Sequence, residues 1–239
     1  MGRAKPIELA TITFEKQGDA TAFFSAMLNR YQVGETVNDA DSLHLSALLV
    51  RHPDYKDKVG CGVDHFEVMR SPDHGTNCFR IVRTDKRGTD FSLGHCIKGE
   101  APSKKQEVSQ ALRRVVRFDL KRAKEKFFAD NKDEDGRVKC AITRELITFE
   151  DAHVDHRQPM TFEVLVVTFL EGRGLSFDDV ALTESEDDQF SADLLDKELA
   201  KEFRLYHQHI AKIDIVKKCE NLAASAKHRV RNTRISLLD

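Results

Sequence analysis

Asp155 and His156 stand side by side at the end of a short β-like run, and Pro159 closes the run three residues later. A carboxylate next to an imidazole is the pairing that one-metal phosphodiester hydrolysis needs. The carboxylate can hold a hard divalent cation, and an imidazole of near-neutral pKa can take a proton from water. His153 precedes Asp155 by two and so shares its strand face. It either reaches phosphate or metal, or makes a structural hydrogen bond. Taken as residue types alone, Asp155 and His156 are equally an exposed polar pair at a strand end.

The frame around the pair narrows the choice. Ala152-His-Val-Asp-His-x-x-Pro159 resembles the first half of the HNH nuclease motif. In that family a ββα unit holds one metal ion: the first strand delivers a metal carboxylate and the general base, and a helix after the second strand returns another ligand. Ala211 to Val216 is strand-like, and Lys217-Lys-Cys219-Glu-Asn221 follows it directly. The resemblance therefore implies Asp155 and Asn221 as ligands of one Mg²⁺ or Mn²⁺, His156 as the base, and products carrying 5′ phosphates. Asn221 is otherwise a helix cap. Lys227 lies somewhat beyond the place of a basic residue common in the family. Residues 157–210 would be a helical insertion between the two strands. Each half carries only one cysteine, so no structural zinc is expected. His207 and His209 end the last inserted helix; one of them could point into the site, although surface or core places are the simpler reading. Cys140 and Cys219 are expected to pack together as small apolar residues.

The elements that must position this pair can be read in outline. Val108, Leu112, Val116, Leu120, Ala123 and Phe127 recur at helical spacing and predict a long helix around Ser109 to Phe128, capped by Ser103 or Ser109. Its other side is basic, and Arg113, Arg117 and Lys121 fall in one row, either a phosphate-facing ridge or a solvated face. Asp130 to Gly136 is a polar turn that lacks the full ligand set of a calcium loop. Thr161 to Leu170 and Ala192 to His209 read as helices. The acidic stretch through Glu184 and Asp188 between them reads as solvated.

The first hundred residues read as a separate α+β unit. Ile12 and Phe14 alternate in a strand, Ala20 to Tyr31 has helical periodicity, and a short helix capped by Asp39 or Asp41 runs to Leu49. His52-Pro53 stops it. Val63 to Met69 and Cys78 to Val82 are strand-like runs around a turn. Phe14, Leu48-Leu49, His52-Pro53, Lys58-Val-Gly60-Cys-Gly62, Cys78-Phe-Arg-Ile-Val-Arg83, Asp90-Phe-Ser92 and Cys96-Ile97 together resemble the DCL (defective chloroplasts and leaves) family. That likeness implies a nucleic-acid setting: ribosomal RNA maturation in chloroplasts, or the ends of plant silencing polymerases. Gly60 and Gly62 suit a tight turn.

Residues 99–106, with Pro102, form the expected boundary. The expected fold is thus α+β: a DCL-like domain over residues 1–100, a long basic linking helix, and an HNH-like domain over 101–239. The 239 residues carry a formal net charge of −2 and a pI near 6.6, so any nucleic-acid surface must be local. No run approaches the roughly 20 apolar residues of a membrane span. Five scattered cysteines without a C-x-x-C pair point to reduced thiols and a cytoplasmic setting. The expected activity is a metal-dependent endonuclease acting on nucleic acid, DNA before RNA, possible in restriction or defence. The alternative is a non-catalytic RNA-binding or rRNA-maturation factor. Oligomeric state is left open, with a dimer possible.

Overall fold

The computed structural model describes residues 5–71, 75–184 and 192–220. The chain divides into two compact units, residues 1–103 with 184–192, and residues 104–183 with 193–239.

The first unit opens with a small antiparallel pair, β1 (Ile7–Glu8) and β2 (Thr13–Phe14). Helix α1 (Gln17–Leu28) buries Ala20, Phe24 and Met27 at helical spacing. It stops short of Tyr31, which leaves the helix but stays buried because its hydroxyl donates to Asp41 at 2.6 Å. Asp41 also takes two bonds from Arg30, so it is a buried acceptor inside α2 (Asp39–Leu49) rather than a cap. Asn38 is the cap, its side chain accepting the Asp41 N–H. A short α3 (Tyr55–Val59) follows, then β3 (Val63–Arg70), β4 (Asn77–Arg83) and β5 (Gly88–Asp90) in a three-stranded antiparallel sheet ordered as in the chain. The free edge of β3 is covered by residues 34–37: Gly34 and Val37 donate to the Val68 and Phe66 carbonyls. Helix α4 (Leu93–Lys98), capped by Ser92, completes the unit. Both α3 and α4 are too short for periodicity to reveal. One core joins Phe24, Leu45, Leu48, Phe66, Phe79, Ile81, Phe91 and Cys96.

Gly60 ends α3 at φ 54°, ψ −120°, a region that side chains with a Cβ avoid. The Arg83 guanidinium beside it donates to the Asp57 and Lys58 carbonyls, satisfying the end of the helix. Gly60→Ala should therefore lower the stability of this unit by about 1–3 kcal/mol in urea titration. An unchanged midpoint would show that the backbone relaxes freely here.

The second unit begins at Lys104, immediately after Ser103, with α5 (Lys104–Asn131). Its buried stripe, Val108, Ala111, Leu112 and Val116, packs against two further helices. These are α6 (Phe162–Glu171), capped by Thr161, and α7 (Lys197–Ile210), capped by Asp196. Asp196 receives the Glu198 and Leu199 N–H groups, so α7 starts five residues later than its sequence pattern suggests. Between α5 and α6 lie a hairpin, β6 (Val138–Lys139) and β7 (Leu146–Ile147), and the strand β8 (Ala152–His156). After α7 comes β9 (Ile213–Lys217). Phe128, Val138, Cys140, Ile147, Ala152, Ile215 and Val216 form a second, smaller core under these strands. The polar turn before β6 spends its ligands on itself: Asp133 accepts the backbone N–H groups of Asp135 and Arg137. Among the described residues no helix is long and apolar enough to cross a membrane.

Candidate active site

Strands β8 and β9 pair antiparallel although residues 157–212 separate them. The register places Val154 opposite Ile215, an apolar cross-strand pair, and Asp155 opposite Asp214. The ladder runs past both ends: Arg157 donates to the Lys212 carbonyl and Lys218 to that of Asp151. Ala141 donates to the Ile215 carbonyl and ties the β6–β7 hairpin to β9. Cys140 is buried, and its Sγ accepts the Thr143 and Lys217 N–H groups at 3.4 and 3.2 Å. Cys219 is exposed, so the expected packing of the two cysteines is not what holds this corner. The backbone hydrogen bonds to one thiol do so instead. Helix α5 is anchored to β8 by Lys124, whose Nζ donates to the Ala152 carbonyl and lies 4.1 Å from the centre of the Phe149 ring.

Alternation along β8 puts His153 and Asp155 on one face and Ala152, Val154 and His156 on the other. His156 is 6% exposed, and its Nε2 lies 2.9 Å from Nε2 of His207, itself 4% exposed. Phe162 packs against the His156 ring at 5.3 Å, and the Arg113 guanidinium lies 4.0 Å from the centre of that same Phe162 ring. Burial, then the neighbouring His207 and Arg113, push the His156 pKa down to about 3. Burial lowers His207 as well, with Arg113 acting in the same sense and Asp119 opposing it. In this geometry His156 is thus held neutral, its pKa below the near-neutral value expected from the sequence. Desolvation inside the α5–α6–α7 packing, invisible in a local motif, keeps both rings neutral. One of the two nitrogens must carry the shared proton and the other accept it.

Asp155 is half-buried, and its Oδ1 accepts the His156 N–H at 2.9 Å. Burial raises its pKa; the His156 N–H bond opposes this, Asp214 reinforces it, and Arg113 and His153 oppose it more weakly. Asp214 is held by Arg157. His153, partly buried, is lowered first by burial and then by the charges of Lys218 and Lys124. Among the described residues no group of three or more His, Cys, Asp and Glu side chains converges as a metal cage. Asp155 itself, a half-buried carboxylate with no ion-pair partner among the described residues, is the donor type that suits a hard cation, whereas Asp214 opposite it is engaged by Arg157. Asn221 lies outside the described residues, as does Lys227. The backbone turns helical at residues 218–220, just before them.

The expected basic row divides. Arg113 turns toward Phe162 and the two histidines, Arg117 lies 4.8 Å over Phe118, and Lys121 stays in solvent near Glu125 at 3.8 Å. His209 is exposed, whereas His207 completes the site. The signal for His207 was present: Leu199, Phe203 and His207 recur every four residues and form the buried face of α7.

Comparison with known proteins bears on the first unit. Residues 25–97 match the family described as protein of unknown function (DUF3223). "Protein DCL homolog, chloroplastic" of Arabidopsis thaliana is 43% identical over 56 residues, 23% of this chain and 26% of that protein. "Protein DCL, chloroplastic" of Solanum lycopersicum is 39% identical over 72 residues, 29% of this chain and 32% of that protein. "DNA-directed RNA polymerase IV subunit 1" of Arabidopsis thaliana is 33% identical over 73 residues, 30% of this chain and 5% of that protein. The chain thus spans a third or less of the length of these relatives. A solution structure of an uncharacterized Rhodospirillum rubrum protein is 47% identical, covers 40% of this chain and 91% of that one, and has a TM-score of 0.37. The N-terminal unit contains a DCL-like domain.

Proposed function

We propose that the second unit is an HNH-like, metal-dependent endonuclease site and that the DCL-like domain docks or reads its nucleic-acid substrate, DNA before RNA. The observation that carries this reading is the β8–β9 ladder. It pairs the strand that carries Asp155 and His156 with the strand that leads into the helical turn at 218–220, across a long insertion and in the order of parts of a ββα unit; the turn itself adjoins the Asp151–Ala152 end of the ladder.

In this reading Asp155, with Asn221 beyond the described residues, would hold one Mg²⁺ or Mn²⁺. The ion, when bound, supplies charge stabilisation to the scissile phosphate and its leaving oxygen. His156 takes the proton of the attacking water at Nδ1. That role requires the tautomer in which His156 Nε2–H donates to His207, because the opposite tautomer leaves Nδ1 protonated. His207 is then a positioning residue that fixes the tautomer. Arg113, Arg117 and Lys121, the basic row of α5, would contribute positive charge toward flanking phosphates.

Supercoiled plasmid and a structured RNA, incubated with the full chain in Mg²⁺ or Mn²⁺, test the reading. Cleavage that a chelator stops and added metal restores is the expected result; no cleavage of either substrate with both metals overturns it. A second reading, a non-catalytic RNA-binding or rRNA-maturation factor, is favoured by the DCL-like domain. It predicts tight RNA binding without cleavage in the same assay. The plant relatives are named chloroplastic, and a reducing plastid suits five free cysteines as well as the cytosol does. Restriction or defence is the setting we assign if DNA is the substrate.

A further inference from the structure

A groove of about 500 Å³ lies beside the strand pair, between the end of α5, the β6–β7 hairpin and β9. Phe127, Leu146, Ile213 and Ile215 supply apolar surface to it, and Phe127 and Leu146 keep that surface open to solvent. Five cations line it, Lys132, Arg137, Lys139, Arg144 and Arg157, against the carboxylates Asp133 and Asp214. The carboxylates are already spent. Arg137 pairs with Asp133, and Arg157 pairs with Asp214. Lys132, Lys139 and Arg144 thus bring three charges to one groove without an ion-pair partner among the described residues. On a chain of net charge −2 such a concentration is local and directional.

Arg144 carries a second signal. Its φ is 65°, the left-handed region where glycine and asparagine sit at low cost. It closes the turn by donating to the Cys140 carbonyl, while Cys140 donates to Glu145. A glycine would make the same turn with less strain, so an arginine here points to a use for its side chain.

We propose that this groove is a nucleic-acid subsite, distinct from the Asp155 centre, that seats the backbone of the strand flanking it. The proposal rests on the nuclease reading for the polarity of the substrate. The two places are continuous: Arg157 follows His156 directly, and Asp214 faces Asp155 across the ladder. An apolar floor under a cationic rim matches sugar and base faces below and phosphates above. An acidic peptide would match only the rim.

The test is fluorescence anisotropy of a labelled DNA duplex and a structured RNA on the full chain, in chelator so that nothing is cut, across a salt series. Arg144→Gly and the double variant Lys132→Gln/Lys139→Gln are compared with the native chain. Each lost phosphate contact should flatten the slope of log affinity against log salt by about 0.9 on duplex and weaken low-salt binding several-fold. Arg144→Gly should keep or raise the melting temperature, so weaker binding by that variant is not unfolding. The proposal is overturned if the native chain binds neither probe, if the variants keep native affinity and slope, or if polyglutamate displaces DNA at equal charge concentration. Loss of the nuclease reading looks different: binding with native groove dependence, but no metal-dependent cleavage of plasmid.

Discussion

Acidification from pH 6.5 to about 4.5 should cost the second unit about 2 kcal/mol through His156 alone, with His207 adding in the same direction. The sign follows from the depressed pKa. Unfolded, His156 titrates near its ordinary 6.5; folded, it titrates at about 3. Between those values the unfolded chain binds a proton that the folded chain refuses, so stability is complete above 6.5 and falls steadily as pH drops toward 3. Each pH unit is worth about 1.4 kcal/mol for one such group. His52 behaves alike in the first unit, lowered to about 4 by burial and then by Lys58, so a global melt mixes the two. Amide exchange along α7 and β8, followed against pH, isolates the second unit. Replacing the pair together, His156→Phe with His207→Leu, should flatten that dependence. If the double variant keeps the native acid slope, the two rings are not the groups responsible.

Asp155→Asn should separate stability from activity. The folded state raises the Asp155 pKa, mainly by burial, so its ionised form is disfavoured there and folding would be favoured by removing the charge. Asparagine keeps the oxygen that accepts the His156 N–H. A higher melting temperature is therefore expected at pH 7. Cleavage should fall about a thousandfold or more, several kcal/mol of lost charge stabilisation. Mg²⁺ should raise the melting temperature of the native chain and leave that of Asp155→Asn unmoved. A variant that melts lower, or that cuts at the native rate, would remove Asp155 from the centre of the site.

The parts of this fold legible in the sequence were those with long periodicity. The 28-residue α5, the strands β3 and β4, and the α6 and α7 pair all declared themselves through spacing. The short α3 and α4 and the β6–β7 hairpin did not, because two to six residues carry no period. At the site, Asp155 and His156 stood out as neighbours, whereas their environment did not. That His156 meets His207 depends on α7 lying against β8 through the packing of Phe162 and Phe203, a tertiary fact. The same packing supplies Phe162 as a ring for the Arg113 guanidinium to lie over, a contact that spacing alone does not show, although Arg113 remains exposed.

The distance along the chain between β8 and β9 also bears on the order in which the protein assembles. Closing a loop of residues 157–212 in a disordered chain costs about 3–4 kcal/mol of entropy, more than a five-residue ladder readily returns. Helices α5, α6 and α7 share their own apolar cluster and can collapse before the strands meet. Once they have, the ends of the insertion are already near each other, and the ladder closes over a short effective span. The strands would then be late arrivals. An insertion that looks like an ornament on a compact hairpin would be the scaffold on which that hairpin is built, and His207, which it contributes, would be waiting when His156 arrives.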